Sequence, residues 1–342
     1  MLAPARCGSH RDRAGALSFS ETFMNRFHFA LIAAAIAGAF APAPALACSS
    51  CGCTLNSDWS SQGFKSNGGF SVDLRHDFFN QNDLRSGTGR VDRGAITLPA
   101  DEEVQQKTIN RNTTLTLDYG IDADWGASLL LPWLDRFHTT VVEGDTGISQ
   151  SRSSSIGDVR VVGRYQGFSP EHDWGVQFGL KLPTGKTSVD FNGGPQSGEA
   201  LDRGLQPGTG STDLLLGVYR FGPISQDFDY FAQALLQVPL TSKDQFRPGV
   251  GVNITAGVRY VNESRITPQL QINARSERKE SGVNADIPNS GATLVYLSPG
   301  ATLTLTDQLK AYAFFQVPIY QRVTGLQLEP KYSVSVGLHY AY

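Results

Sequence analysis

The sequence is poor in cysteine, methionine and histidine: its 342 residues hold four, two and six of them. So few imidazoles and thiols leave little material for a dispersed catalytic or metal site. Basic residues are not in excess either: 29 Lys and Arg stand against 32 Asp and Glu, for a net charge of −3. Nucleic-acid binding asks for a basic excess, so no nucleic acid is expected as a partner. The third shortage is of long apolar runs. Beyond residue 47 none approaches the roughly 18 residues of a membrane-spanning helix, so a helical span is excluded.

What is present begins at Met24, where the chain reads MNRFHFALIAAAIAGAFAPAPALA. A charged start at Arg26, an apolar core over 27–40 and a small-x-small end at Ala45-Leu46-Ala47 have the form of a secretory signal peptide. Segment 24–47 is therefore read as removed, leaving Cys48 first. Residues 1–23 put Arg6, Arg11 and Arg13 upstream of that signal. They are read as a mis-called start, with a long n-region as the alternative. Without residues 1–47, which carry four Arg, one Asp and one Glu, the net charge falls from −3 to −5.

From residue 69 onward the dominant pattern is alternation, the period of a strand with two unlike faces. Val252, Ile254, Ala256, Val258 and Tyr260 alternate with Asn253, Thr255, Gly257 and Arg259. Twelve such segments are expected, at 69–80, 108–119, 123–137, 156–168, 173–183, 211–221, 228–240, 250–261, 265–277, 292–305, 308–319 and 331–342. Many exceed the five or six residues common in soluble sheets and suit a tilted bilayer crossing. The connections alternate between short ones such as NES and TD and long ones at 81–107, 138–155, 184–210 and 278–291. The expected fold is all-β: a transmembrane antiparallel up-and-down barrel over 69–342, with short periplasmic turns and long extracellular loops. Trp125, Trp133, Trp174, Tyr119, Phe221, Tyr260, Tyr320 and Tyr332 lie near strand ends and are expected in the aromatic girdles. A large periplasmic β-sandwich is the soluble alternative.

The final strand resembles the insertion signal of outer-membrane proteins through Gly337, Tyr340 and Tyr342. That resemblance implies the barrel assembly machinery and outer-membrane lipid as partners, and the outer membrane of a Gram-negative bacterium as the location. If the apolar face meets lipid, the other face lines a lumen. It carries Asp73, Arg75, Asp77, Asp118, Arg160, Arg164, Lys181, Arg259, Arg275 and Lys310. Mixed charges can pair across a lumen and close it, or line a wet channel.

Three stretches carry a family resemblance: SSIGDVRVVGRYQ (154–166), GLKLPTGKT (179–187) and GTGSTDLLLGVYRF (208–221). They resemble a family of bacterial outer-membrane proteins associated with the meta-cleavage pathway of phenol degradation, the MetA-like transporters. The resemblance covers 155–221 well and the rest only as barrel pattern. It implies a barrel passing small, often aromatic or apolar, compounds. Pro183-Thr184-Gly185 has a plain role besides: proline favours a strand end and glycine frees the next backbone step. Asp158 and Asp213, at strand starts, are read mainly as turn-capping residues, with a lumen-facing role as the other reading.

Three of the four cysteines crowd into ACSSCGCTL, as Cys48, Cys51 and Cys53. They fall in a segment, 48–68, read as a periplasmic tail or plug. Three chemistries compete for them. An oxidising periplasm pairs nearby thiols. C-x-x-C-x-C also offers three thiolates to Cu(I) or Zn, although no histidine stands near for a fourth zinc ligand. Cys48 could instead carry lipid, though Ala45 stands where a lipobox has leucine. A metal-handling protein using this tail is the alternative function, and no other cofactor is expected. An outer-membrane lipid hydrolase is the enzymatic alternative. No motif joins His76, His138, His172 or His339 to a nucleophilic serine, so the chain is read as no enzyme.

Overall fold

A computed structural model describes residues 68–342. The readings of residues 1–23, of the signal peptide, and of the tail with Cys48, Cys51 and Cys53 lie outside the described residues.

The alternating segments form strands because one face of each is apolar and the other polar. The chain order is β1 (Gly69–Gly87), β2 (Gly89–Arg90), β3 (Val104–Gly120), β4 (Trp125–Val141), β5 (Ser149–Ile156), β6 (Val159–Tyr165) and β7 (Trp174–Leu182). It continues with β8 (Asp213–Pro223), β9 (Phe228–Pro239), β10 (Gly251–Tyr260), β11 (Ile266–Glu277), β12 (Ala292–Thr304) and β13 (Leu309–Ala341). Two three-residue 3-10 turns, Arg93–Ala95 and Arg203–Leu205, interrupt the loops. No helix among the described residues is long and apolar enough to cross a membrane.

Every ladder is antiparallel, and β13 pairs back onto β1, closing a ring of eleven strands with β2 and β5 off its path. The 33-residue β13 accounts for the difference from twelve. Its first part pairs with β12 and its second with β1, both antiparallel. Ten alternating strands from β1 to β12 leave those two running in opposite directions, so β13 must reverse. The reversal falls at Gly325, whose φ is +66°. The two limbs lie side by side: Ala341 N donates to Gln308 O at 2.9 Å, and the Phe315 and Tyr332 rings stack at 5.5 Å. The eleven ring strands therefore cross the wall twelve times.

The barrel is inside-out relative to a soluble protein. On β11, Ile272 is 47% exposed while Gln271 beside it is 1% exposed. Leu74, Val161, Phe178, Leu216, Ile254, Ile319 and Val336 are likewise exposed, whereas Asp77, Asn110, Asn273 and Ser335 are buried. An apolar outer band around a polar interior is the signature of a barrel whose outer solvent is lipid, and closure leaves no unpaired edge.

Two expectations are corrected. The expected loops 81–107 and 138–155 are partly strand, since β1 runs to Gly87, β3 starts at Val104, β4 runs to Val141 and β5 spans Ser149–Ile156. Segments such as SQSRSSSI are polar on both faces, so their strand character gives no alternation to read. Phe221 is not a girdle residue; it is 7% exposed and faces inward, because it shares the parity of Leu215 and Tyr219 on β8. At the rim of short turns, Trp125, Tyr165, Phe168 and Trp174 make successive ring contacts at 4.7, 4.8 and 4.3 Å.

Candidate functional site: the lumen and its inward loop

The three quoted stretches converge on one buried node at the start of the connection from β7 to β8. Strand pairing breaks at Gly157-Asp158, between β5 and β6. The freed Asp158 carboxylate accepts from Gly185 N at 3.0 Å, Thr209 N at 2.9 Å and Thr209 Oγ1 at 2.8 Å. Lys181 Nζ lies 3.3 Å from Asp158 and 2.8 Å from Asp213. Thr184 Oγ1 receives Val159 N and donates to Gly157 O, both at 2.9 Å. Asp158 thus ties both ends of the 183–212 connection to the wall, and Lys181 supplies the charge that lets two carboxylates stay buried. Asp158 accepts backbone N–H groups of the connection, whereas the partners of Asp213 are the side chains of Ser211, Gln237 and Lys181.

The same connection folds into the barrel mouth. Val189, Phe191, Leu201 and Leu205 form a buried apolar cluster with Val142 against it. Arg136, on the lumen face of β4, donates to Leu205 O at 2.6 Å and to Asn110 Oδ1 at 2.8 Å. Arg203 donates to Thr187 O at 2.8 Å and its guanidinium lies 5.2 Å from the centre of the buried Phe246 ring. An apolar cluster on a polar segment gives the loop a reason to stay folded inward rather than in water.

Carboxylates gather around it. Burial and the negative charges of Glu280, Glu103 and Asp286 push Asp202 well above the usual carboxylate range. Burial chiefly raises Asp286 as well, with Glu103 adding to it. Glu103 moves the other way: burial would raise it, but hydrogen bonding and charge from His138, with bonds from Thr140 and Gln105, hold it below its ordinary value. His138 is fully buried and its Nδ1 lies 2.8 Å from Thr108 Oγ1. Sequence reading missed Glu103, Asp202 and Glu280. The inward parity of Arg136, His138 and Thr140 was the one available signal, and it marks only the strand.

At the opposite rim, beside Gly69 and Tyr342, the lumen opens into a cavity of about 360 Å³. Leu130, Val162, Leu215, Phe221 and Leu235 give it an apolar side; Gln166, Gln177, Tyr219 and Gln233 add neutral polar groups. Inward-pointing Gly179 and Gly217 leave the wall low here, since a Cβ at Gly217 would come within 3.1 Å of Leu235.

Of the expected lumen residues, Asp73, Asp118, Arg160, Arg164 and Lys310 line this cavity. Arg164 Nη2 donates to Asp118 Oδ1 at 2.8 Å, and Tyr312 OH donates to Asp73 at 2.9 Å. The others are buried in local pairs away from it. Arg75 Nε meets Asp77 at 2.8 Å, Arg275 Nε meets Glu277 at 3.0 Å, Arg259 lies 3.5 Å from Asp229, and Lys181 sits in the Asp158 node. Gly337 faces the Tyr312 ring, Tyr340 OH donates to Gln308 at 3.1 Å, and Tyr342 packs edge-on to Tyr340 at 4.7 Å. His172 lies in a turn and pairs with Asp124 at 2.8 Å. No group of three or more His, Cys, Asp or Glu side chains among the described residues is arranged to hold a metal.

A closed antiparallel barrel with an apolar outside, a charged inside and an inward loop defines the class of outer-membrane β-barrels. No protein-family model matches the sequence, and no curated protein is significantly similar to it. Solved structures are similar in fold. An outer membrane channel from Pseudomonas putida F1 is 12% identical, with a TM-score of 0.59 over 83% of this chain and 99% of that one. The translocator domain of autotransporter NalP from Neisseria meningitidis (9% identity, TM-score 0.46) covers 83% of this chain and 92% of its own. The Ralstonia pickettii toluene transporter TbuX (9% identity, TM-score 0.44) covers 81% and 90%. At 12% identity the likeness to the Pseudomonas putida channel is one of fold.

Proposed function

We propose that this barrel is an outer-membrane channel for small, apolar or aromatic solutes, gated by the 183–212 connection. The observation that carries the reading is the axial arrangement of the lumen. A part-apolar cavity opens at one rim, a belt of paired charges follows, and a folded loop narrows the other mouth. A solute path requires a wet or apolar-lined lumen with a constriction that can move. In this reading the short turns and the chain ends face the periplasm, the cavity opens there, and residues 48–68 form a periplasmic tail. The Pseudomonas putida channel, with the same fold, supports the class of function. Gly337, Tyr340 and Tyr342 then serve insertion by the barrel assembly machinery.

Two measurements test this: conductance of the purified barrel in a planar bilayer, and uptake of a labelled small aromatic by cells with and without the protein. Small, fluctuating conductance and faster uptake are expected. A silent bilayer together with unchanged uptake overturns the reading.

A further inference from the structure

The cavity holds a cation that the rest of the lumen does not use. Lumen charges are generally spoken for: Arg75 by Asp77, Arg164 by Asp118, Lys181 by Asp158 and Asp213, Arg275 by Glu277. Lys310 and the cavity carboxylates Asp73 and Asp118 have interactions of their own. Arg160 differs. It is part-buried, it lines the cavity, and among the described residues it makes no hydrogen bond or ion pair.

Its surroundings explain what it could meet. Across the wall Arg160 stands opposite Leu130 on β4 and Lys181 on β7. Lys181 is held between two carboxylates, so neither Asp158 nor Asp213 needs Arg160. Two residues along the same inward face is Val162, level with Gly179, and Gly179 is level with Leu215 on β8. The guanidinium therefore borders apolar side chains and a strip of wall lowered by Gly179. Beyond lie the neutral amides of Gln177 and Gln233, joined at 2.6 Å. A planar guanidinium is suited to bidentate pairing with a carboxylate. Pockets of a few hundred Å³ with apolar walls and few polar anchors are typical small-molecule sites.

We propose that this cavity is a binding subsite for amphipathic monoanions, a carboxylate on a small aromatic or aliphatic body, with Arg160 as the anion anchor. The inference deepens the channel reading and rests on it. The carboxylate pairs with Arg160 while the body lies against Leu130, Val162 and Leu215. A neutral molecule of the same shape keeps the apolar contact and loses the ion pair.

The test uses the whole barrel in detergent or bilayer with benzoate and benzyl alcohol as probes. Binding is followed by calorimetry, and conductance in potassium chloride is recorded for the same samples. Wild type is expected to bind benzoate more tightly than benzyl alcohol. Arg160→Gln is expected to weaken benzoate about tenfold or more, the scale of a charge-assisted hydrogen bond, with benzyl alcohol unchanged. Arg160→Lys is expected to fall between. Retained heat-modifiable mobility on gels shows that the variants fold; if Arg160→Gln does not, Arg160→Lys and the wild-type preference for benzoate carry the test. Equal binding of the two probes by wild type, or benzoate binding unchanged in Arg160→Gln, overturns the subsite and leaves a conducting channel standing. Absent conductance and uptake overturn the channel reading instead, whatever benzoate does.

Discussion

Arg136 on the barrel wall donates from Nη1 to the backbone carbonyl of Leu205, 2.6 Å away, across 69 residues of chain. This bond joins the lumen face of β4 to the 3-10 turn of the inward loop. Both residues are buried. Replacing Arg136 by Met removes the donor and leaves the carbonyl to find water. A hydrogen bond to a charged group contributes roughly 1.5–3 kcal/mol. The open-loop fraction of Arg136→Met is therefore expected to rise by about tenfold to a hundredfold, visible as longer open dwell times in single-channel records.

The Asp158 node makes a separate prediction. Lys181→Met leaves Asp158 and Asp213 buried without their cation, and breaking a buried pair this way costs roughly 3–5 kcal/mol. Asp158 also holds Gly185 and Thr209, so the cost is expected to appear as release of the loop rather than loss of the barrel. Trypsin should cut after Lys186 and Arg203 many times faster than in wild type while the barrel stays heat-modifiable. Unchanged cleavage would show that the node does not hold the loop.

Acidification should close the mouth. Asp202 in the folded loop, and Asp286 beside it in the β11–β12 connection, have raised pKa values. Their ionised forms are penalised there relative to the released loop, so the penalty lifts as pH falls through the raised values towards the ordinary 3.8. Glu103 is lowered by His138, Thr140 and Gln105, all on the wall strands, so its titration is not coupled to loop release. Conductance is thus expected to fall as pH drops from neutral towards the ordinary carboxylate range. Asp202→Asn should flatten most of that fall; an unchanged pH profile in that variant would refute the assignment.

The outer face is tested by charge. Ile272 lies in the middle of β11 on the exposed side. An arginine at mid-bilayer on a lipid-facing strand costs roughly 2–4 kcal/mol. Ile272→Arg should lower unfolding stability in lipid by about that amount, measured by denaturant titration. Gln271→Arg, one residue away but inside, should cost less. A larger cost at Gln271 than at Ile272 would mean the faces are reversed.

Much of this could be read from residues alone, in proportion to how far each depended on local pattern. Ile254 beside Thr255 and Ile272 beside Gln271 announce their faces because strand parity and lipid contact are both local. The polar strand β5 was invisible because serine on both faces makes no alternation. Phe221 was misplaced because nearness to a strand end was weighed above parity. The two limbs of β13 were legible as separate strands at 308–319 and 331–342, because each alternates; that they form one continuous strand reversing at Gly325 was not. Asp158, Thr184, Gly185, Thr209 and Asp213 were marked as motif residues, yet their meeting depends on a loop returning over some 30 positions.

The sequence by itself determined an all-β chain with one apolar and one polar face per strand, because side-chain alternation follows directly from backbone geometry. It thereby determined which solvent each face prefers. Tertiary structure alone decided which charges are neutralised and which are left over. Arg160 and Arg164 share a strand face and differ in nothing local, but Asp118 reaches one and no carboxylate reaches the other. Pairing depends on distances set by ring closure and by the inward loop, which no local pattern encodes.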